Sequence, residues 1–352
     1  MKTGISLYLS TPLEKNLAIV ERAAAAGAKV AFTSLHLPED TDGDFAGDLR
    51  ELLLALKRAG IDLMADVSPR ALDILGLERM EDLADLGLGC VRLDFGFSPQ
   101  RTVELSHTFR IAFNASTMRR ADVEAWRAAG ADFGRFTACH NFYPKRFTGL
   151  DLNDVRRAND RFACMGFEVM GFVPGDGELR APMFEGLPTV EAQRDRREAV
   201  ALNMLEMGMG AGCDTVIVGD SGLSEAGWEQ FEQVSHGFVD VPCELRPGYE
   251  RLAGRVYHDR ADSSALLFRS SEPREDADPV PVPVDAGAGE VRPVGTIAVS
   301  NADYLRYEGE VEVSRADLPG DARMNVAGRV ADRALPLLPY VRNGFGLRFK
   351  TR

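Results

Sequence analysis

Eight apolar runs of strand length alternate with helical stretches between residue 4 and about residue 236. The predicted strands are Gly4–Leu9, Lys29–Leu35, Ile61–Val67, Cys90–Asp94, Phe109–Asn114, Phe133–Cys139, Phe167–Val173 and Thr215–Asp220. The helical stretches include Leu13–Ala26, Gly47–Ala59, Met118–Ala129, Leu152–Met165 and Val190–Met207. Gly27, Gly60, Gly130, Gly166 and Gly208 stand where those helices should end. Such alternation packs helices over a mainly parallel sheet. Eight units in roughly 240 residues fit a closed α/β architecture, a (β/α)8 TIM barrel, better than an open doubly wound sheet. The first turn, Tyr8-Leu9-Ser10-Thr11-Pro12, has no glycine-rich dinucleotide fingerprint.

Helical periodicity then fades. Residues 1–240 are read as the barrel, the catalytic domain, and residues 245–352 as a small β-rich domain with strands near Gly254–Tyr257, Ala265–Phe268, Gly295–Val299 and Glu308–Val313. Proline at every second position in Pro279-Val280-Pro281-Val282-Pro283-Val284 predicts an extended, solvated loop. The five cysteines are scattered without zinc or redox spacing, which predicts a reduced, cytoplasmic chain with no metal; no cofactor motif is seen. A net charge of -13 argues against nucleic acid and anionic membranes as partners, yet allows a locally positive pocket for an anionic small molecule. There is no apolar run of about 18 residues that would predict a membrane span. The start, Met1-Lys2-Thr3-Gly4-Ile5-Ser6, does not read as a signal peptide.

In barrels of this kind the chemistry sits at the carboxyl ends of the strands. The predicted ends carry Asp66, Asp94, Asn114 and Asp220, with His140, Asn141, Tyr143, Lys145 and Arg146 following the sixth strand. Glu39 lies in the loop after the second strand, Arg70 after the third and Glu185 after the seventh. Strand parity turns Asp62, Asp66, Arg92, Asp94, Arg110, Asn114 and Glu168 toward the barrel axis. A charged interior is therefore expected, its members paired or ligating something. Structural roles compete at several positions: Asp66 as a cap for a helix opening at Ser68-Pro69, His140 as a satisfied buried histidine, and Asp220 as a turn or cap residue.

Taken in order, these motifs resemble one family, the bacterial 6-phospho-N-acetylmuramidases. The segments are Gly4-Ile5-Ser6-Leu7-Tyr8-Leu9-Ser10, Phe32-Thr33-Ser34-Leu35-His36, Asp66-Val67-Ser68-Pro69-Arg70 and Val91-Arg92-Leu93-Asp94-Phe95-Gly96-Phe97. Further on come Cys139-His140-Asn141-Phe142-Tyr143-Pro144, Arg146-Phe147-Thr148-Gly149-Leu150, Gly186-Leu187-Pro188-Thr189 and Val216-Ile217-Val218-Gly219-Asp220. The tail adds Tyr304-Leu305-Arg306-Tyr307-Glu308-Gly309-Glu310 and Arg323-Met324-Asn325-Val326-Ala327-Gly328-Arg329-Val330. The resemblance implies a barrel followed by a cyclophilin-like β-barrel domain. It also implies hydrolysis of N-acetylmuramic acid 6-phosphate–N-acetylglucosamine in cell-wall recycling, so a phosphorylated sugar is the expected partner; a homo-oligomer is compatible.

Glycoside hydrolysis needs two carboxyl groups across the scissile bond. Asp66 and Asp94 end neighbouring strands, about 5 Å apart along the backbone, with Glu39 and Glu185 in reserve. Arg70, Arg92, Lys145 and Arg146 are the cations near that rim for a phosphate or carboxylate. The tail is expected to fold back over the catalytic face, with Arg306 and Tyr307 as an anion clamp; the alternative is a surface pair of Arg306 with Glu308 or Glu310. Two other functions compete. A sugar-phosphate aldolase or isomerase would want a Schiff-base lysine or a metal, and Lys29 and Lys145 are badly placed for one. A non-enzymatic sugar or peptide sensor would rest on the tail alone.

Overall fold

Where four to six mostly apolar, β-branched or aromatic residues follow one another, the first part of the chain extends and pairs. A computed structural model describes residues 1–35, 45–93, 96–272 and 280–351, with only the backbone at Pro69, Arg70 and Ile74. Eight strands, β1 (Lys2–Ser6), β2 (Val30–Ser34), β3 (Asp62–Val67), β4 (Cys90–Leu93), β5 (Arg110–Asn114), β6 (Phe136–Cys139), β7 (Glu168–Val173) and β8 (Thr215–Val218), pair in sequence order. All are parallel, and β8 returns to β1 to close the barrel. The surrounding helices are α1 (Leu13–Ala25), α2 (Phe45–Ala59), α3 (Pro69–Leu75), α4 (Asp82–Asp85), α5 (Pro99–Ser106), α6 (Arg120–Ala128), α7 (Leu152–Cys164), α8 (Val200–Leu205) and α9 (Glu225–Ser235). Each longer helix buries one stripe; α2 turns Leu49, Leu52, Leu53 and Leu56 inward. No helix among the described residues is long and apolar enough to cross a membrane.

The stretch Val190–Met207 is not the single helix its periodicity predicts. It divides into a 3-10 turn (Glu191–Arg196), α8 and a π turn (Glu206–Gly210) that holds Gly208. Polar side chains in the first turn bond outside it: Glu191 accepts from the Phe147 and Gly149 amides, and Arg194 donates to the Tyr143, Glu185 and Gly186 carbonyls. These tertiary bonds override local helix propensity.

The barrel interior also differs from expectation. It is filled by Tyr8, Val30, Phe32, Met64, Cys90, Ala112, Cys139, Met170, Phe172, Leu187 and Ile217, with Phe32 and Phe172 edge to face at 5.1 Å. The predicted inward charges at strand starts stand instead in the amino-end mouth. Asp62 pairs with Arg110 at 3.1 Å and Glu168 with Lys2 at 3.4 Å, all four about half exposed or more. Parity is as predicted, but water at the mouth spares these groups the desolvation cost of the interior.

The chain forms two compact units, Met1–Ser235 and His236–Arg352. The second is a nearly closed, seven-stranded sheet of β9 (Phe238–Leu245), β10 (Val256–His258), β11 (Leu267–Arg269), β12 (Thr296–Ser300), β13 (Val311–Ser314), β14 (Met324–Val330) and β15 (Gly346–Lys350). The order is β10-β15-β9-β14-β12-β13-β11, antiparallel except for β15 beside β9. The alternating-proline segment is extended but not simply solvated. Val282 is 3% exposed and its amide donates to Glu308 at 2.7 Å, whereas Val280 and Val284 face water. Pro279 lies outside the described residues.

Candidate active site

The register of β3 against β4 sets Asp66 directly opposite Arg92 near the carboxyl end of the barrel. The Arg92 guanidinium stands 3.1 Å from the Asp66 carboxylate, with side-chain exposures of 5% and 13%. Arg92 also donates to the Asn141 side-chain oxygen just beyond β6. The Asn141 carbonyl accepts from the Thr189 hydroxyl at 2.9 Å, and that hydroxyl oxygen accepts from the Phe172 amide of β7. One polar chain thus ties β3, β4, β6 and β7 together above the apolar plug. Asp66 is not the cap of α3: Ser68 occupies that position, without a side-chain cap bond, and Pro69 follows it.

The long loop after β7 is held by Asp220. Its Oδ2 accepts from the Gly175 and Leu187 amides at 2.9 and 3.0 Å, and its Oδ1 from the Arg180 amide at 3.1 Å. Burial pushes its carboxyl above the usual range, against those three N–H bonds. Asp220 thus anchors the loop, the structural role that competes with a sugar contact at this strand end. The loop carries the Arg180 guanidinium to 3.7 Å from the centre of the Tyr8 ring. Tyr8 is fully buried and donates its hydroxyl to the Gly219 carbonyl at 2.5 Å; burial raises that hydroxyl to about 12. Among the described residues no carboxylate forms an ion pair with Arg180.

Other expected contacts are already engaged. Arg146, the cation assigned to phosphate, pairs with Glu185, one reserve carboxylate, at 3.2 Å and with Asp195 at 2.8 Å. His140 is 0% exposed; its Nε2 meets the Asn159 oxygen at 2.7 Å and its Nδ1 the Ser116 hydroxyl at 3.2 Å. Asn159 donates its own amide to the Ala211 carbonyl, so its oxygen accepts from Nε2, leaving Nδ1 to accept from Ser116. Burial lowers the His140 pKa. Asn114 spends its side-chain oxygen on the Ser116 amide, shaping the turn after β5. Tyr143 is fixed through its backbone to Pro188 and Arg194, and Lys145 is exposed.

Asp94 and Glu39 lie outside the described residues, as does the Arg70 side chain. In the second unit Arg306 is exposed, donates to the Tyr307 hydroxyl at 2.8 Å and lies 4.9 Å from its ring centre. It pairs with neither Glu308 nor Glu310 among the described residues, so the surface ion pair does not form. No cluster of three or more His, Cys, Asp or Glu side chains is placed for a metal among the described residues. Of the residues around the mouth, Tyr8, Arg180 and Thr189 escape the sequence reading. Parity reaches strands only, and nothing in Gly175-Asp176-Gly177-Glu178-Leu179-Arg180 says which charge turns back over the barrel.

Residues 3–233 match the family model described as 6-phospho-N-acetylmuramidase, N-terminal, and residues 239–350 its C-terminal counterpart. No curated protein matches the chain. A solved structure described as a conserved protein with an unknown function from a locus in Enterococcus faecalis is similar at TM-score 0.75 and 30% identity, covering 100% of this chain and 97% of that one. An uncharacterized B. cereus protein is similar at TM-score 0.73 and 24% identity, with 99% of each chain covered, and this likeness concerns the fold alone.

Proposed function

The chain belongs to the 6-phospho-N-acetylmuramidase family of glycoside hydrolases, and from that premise we propose that it cleaves N-acetylmuramic acid 6-phosphate–N-acetylglucosamine in cytoplasmic cell-wall recycling. The observation that carries the reading is Asp66, a carboxylate fixed by Arg92 at 3.1 Å on the carboxyl end of a barrel. An ion-paired carboxylate suits the ionised role, nucleophile or base, and leaves the acid role to Asp94 on the next strand, with Glu39 as the alternative, since Glu185 is itself paired with Arg146. Arg92, held by Asn141 as well, positions Asp66 rather than binding sugar directly. Arg70 and Lys145 stand as candidate anion contacts, and Asn141 and Tyr143 as candidate sugar contacts. The second unit is read as the accompanying cyclophilin-like domain.

The test is incubation of the full chain with phosphorylated and unphosphorylated disaccharides, with products identified by mass spectrometry. Release of N-acetylglucosamine and N-acetylmuramic acid 6-phosphate is the expected result. Intact substrate throughout, or cleavage of unphosphorylated sugars alone, would contradict the reading.

A further inference from the structure

We propose that Arg180 is the cation that receives the substrate's oxyanion group, held ready by Tyr8 and by the loop that Asp220 anchors; this rests on the phosphoglycosidase reading above. The chain holds 54 acidic and 41 basic residues, so carboxylates outnumber the cations they can pair with. Around the same mouth Arg92 holds Asp66, Arg146 holds Glu185 and Asp195, and Arg194 holds Glu191. Arg180 has no such ion pair among the described residues. The Asp220 carboxylate lies close by but makes no ion pair with the Arg180 guanidinium; its oxygens accept from three backbone amides, one of them that of Arg180 itself.

The geometry is that of a preorganised binding group. Cation–π contact engages the face of a guanidinium and leaves its edge of N–H donors for an acceptor. Tyr8 offers its ring face, and its hydroxyl, which donates to the Gly219 carbonyl, also accepts from Arg180, so two contacts hold the guanidinium while its other N–H donors remain for an acceptor. Asp220 pins the backbone at Gly175, Arg180 and Leu187, so little freedom is left to lose when an anion arrives. Tyr8 belongs to the apolar barrel plug, so the guanidinium rests on the plug at the end of the barrel where Asp66 stands. The proposed substrate carries two oxyanions, a 6-phosphate and a lactyl carboxylate, and a guanidinium can take two oxygens of either.

Calorimetric titration of the full chain separates the sources. The four probes are N-acetylmuramic acid 6-phosphate, N-acetylglucosamine 6-phosphate, N-acetylmuramic acid and N-acetylglucosamine. Arg180→Ala should bind the probes bearing one of the two oxyanions at least tenfold more weakly and leave N-acetylglucosamine unchanged. Loss confined to the two phosphates identifies phosphate; loss confined to the two lactyl sugars identifies the carboxylate. Arg180→Lys, which keeps the charge but not the fork, should recover part of the lost affinity. Equal loss on all four probes, or unchanged affinity on all four, would overturn the inference. The binding arms do not need turnover. A wild type that cleaves nothing yet shows this pattern sinks the function and keeps the subsite; unchanged KM of Arg180→Ala on a cleaved phosphorylated disaccharide does the reverse.

Discussion

Replacing Arg92 by leucine would take from the Asp66 carboxylate, only 13% exposed, the cation 3.1 Å away. Breaking a buried pair in this way costs about 3–5 kcal/mol, and Asp66 would also lose its orientation. Arg92→Leu is therefore expected to lower both urea resistance and kcat; unchanged values of both would show that the pair carries neither role. Asp66→Asn keeps a similar shape, so its main effect should fall on turnover, by roughly two orders of magnitude or more. A near-wild-type rate would move the role to Asp94, Glu39 or Glu185. His140 contributes through pH. Burial lowers its pKa below the ordinary 6.5, so the unfolded chain takes up the proton first. Its stabilising contribution is full above pH 6.5 and is lost as pH falls below it. Replacing it with glutamine should flatten the decline in unfolding free energy between pH 7 and 5.5, and an unaltered slope would refute this assignment. Parity made Asp66 and Arg92 legible in the sequence as neighbours facing the axis. It could not show that Arg146, His140 and Asp220 already have partners, because those partners come from loops and helices distant in sequence.

At the scale of elements, two loops built after β6 and β7 frame the mouth, and each hangs on one carboxylate. Glu191 clamps the first through the Phe147 and Gly149 amides and Arg194, bonds that lower its carboxyl from 4.5 to about 2, with Arg194 the largest cause. Its contribution is complete above pH 4.5 and fades as pH falls toward 2. Asp220 anchors the second loop. Asp220→Ala leaves three amides without their acceptor, each costing about 1–3 kcal/mol if no water replaces it. Proteolytic nicking within residues 174–188 should become faster while the barrel core persists. Wild-type protease resistance would show that the loop is held by something else. The strand–helix alternation announced these loops only as gaps. The break of Val190–Met207 into a 3-10 turn, a short helix and a π turn was hidden for a related reason: Glu191 and Arg194 fit a helical pattern, and only tertiary hydrogen-bond partners draw them out of it.

Over the whole molecule, eight short apolar runs sufficed to specify a closed parallel barrel because every strand there is packed between helices and an apolar plug. The second sheet was less legible. Strands β9, β14 and β15 went unread, since Phe238–Leu245 carries a proline and two acids, and Gly328 and Gly346 interrupt the usual strand composition. Gly328 is required there: a Cβ would lie 2.4 Å from the Glu244 carbonyl oxygen of the neighbouring strand. As proposed, the protein is a glycosidase whose barrel mouth selects a phosphorylated sugar, although the chain as a whole carries a net charge of -13. The most direct measurement is the ratio of kcat/KM for N-acetylmuramic acid 6-phosphate–N-acetylglucosamine to that for the same disaccharide after phosphatase treatment. A ratio of at least a hundred, shrinking as ionic strength rises, is the expected result; equal values for the two substrates would contradict it.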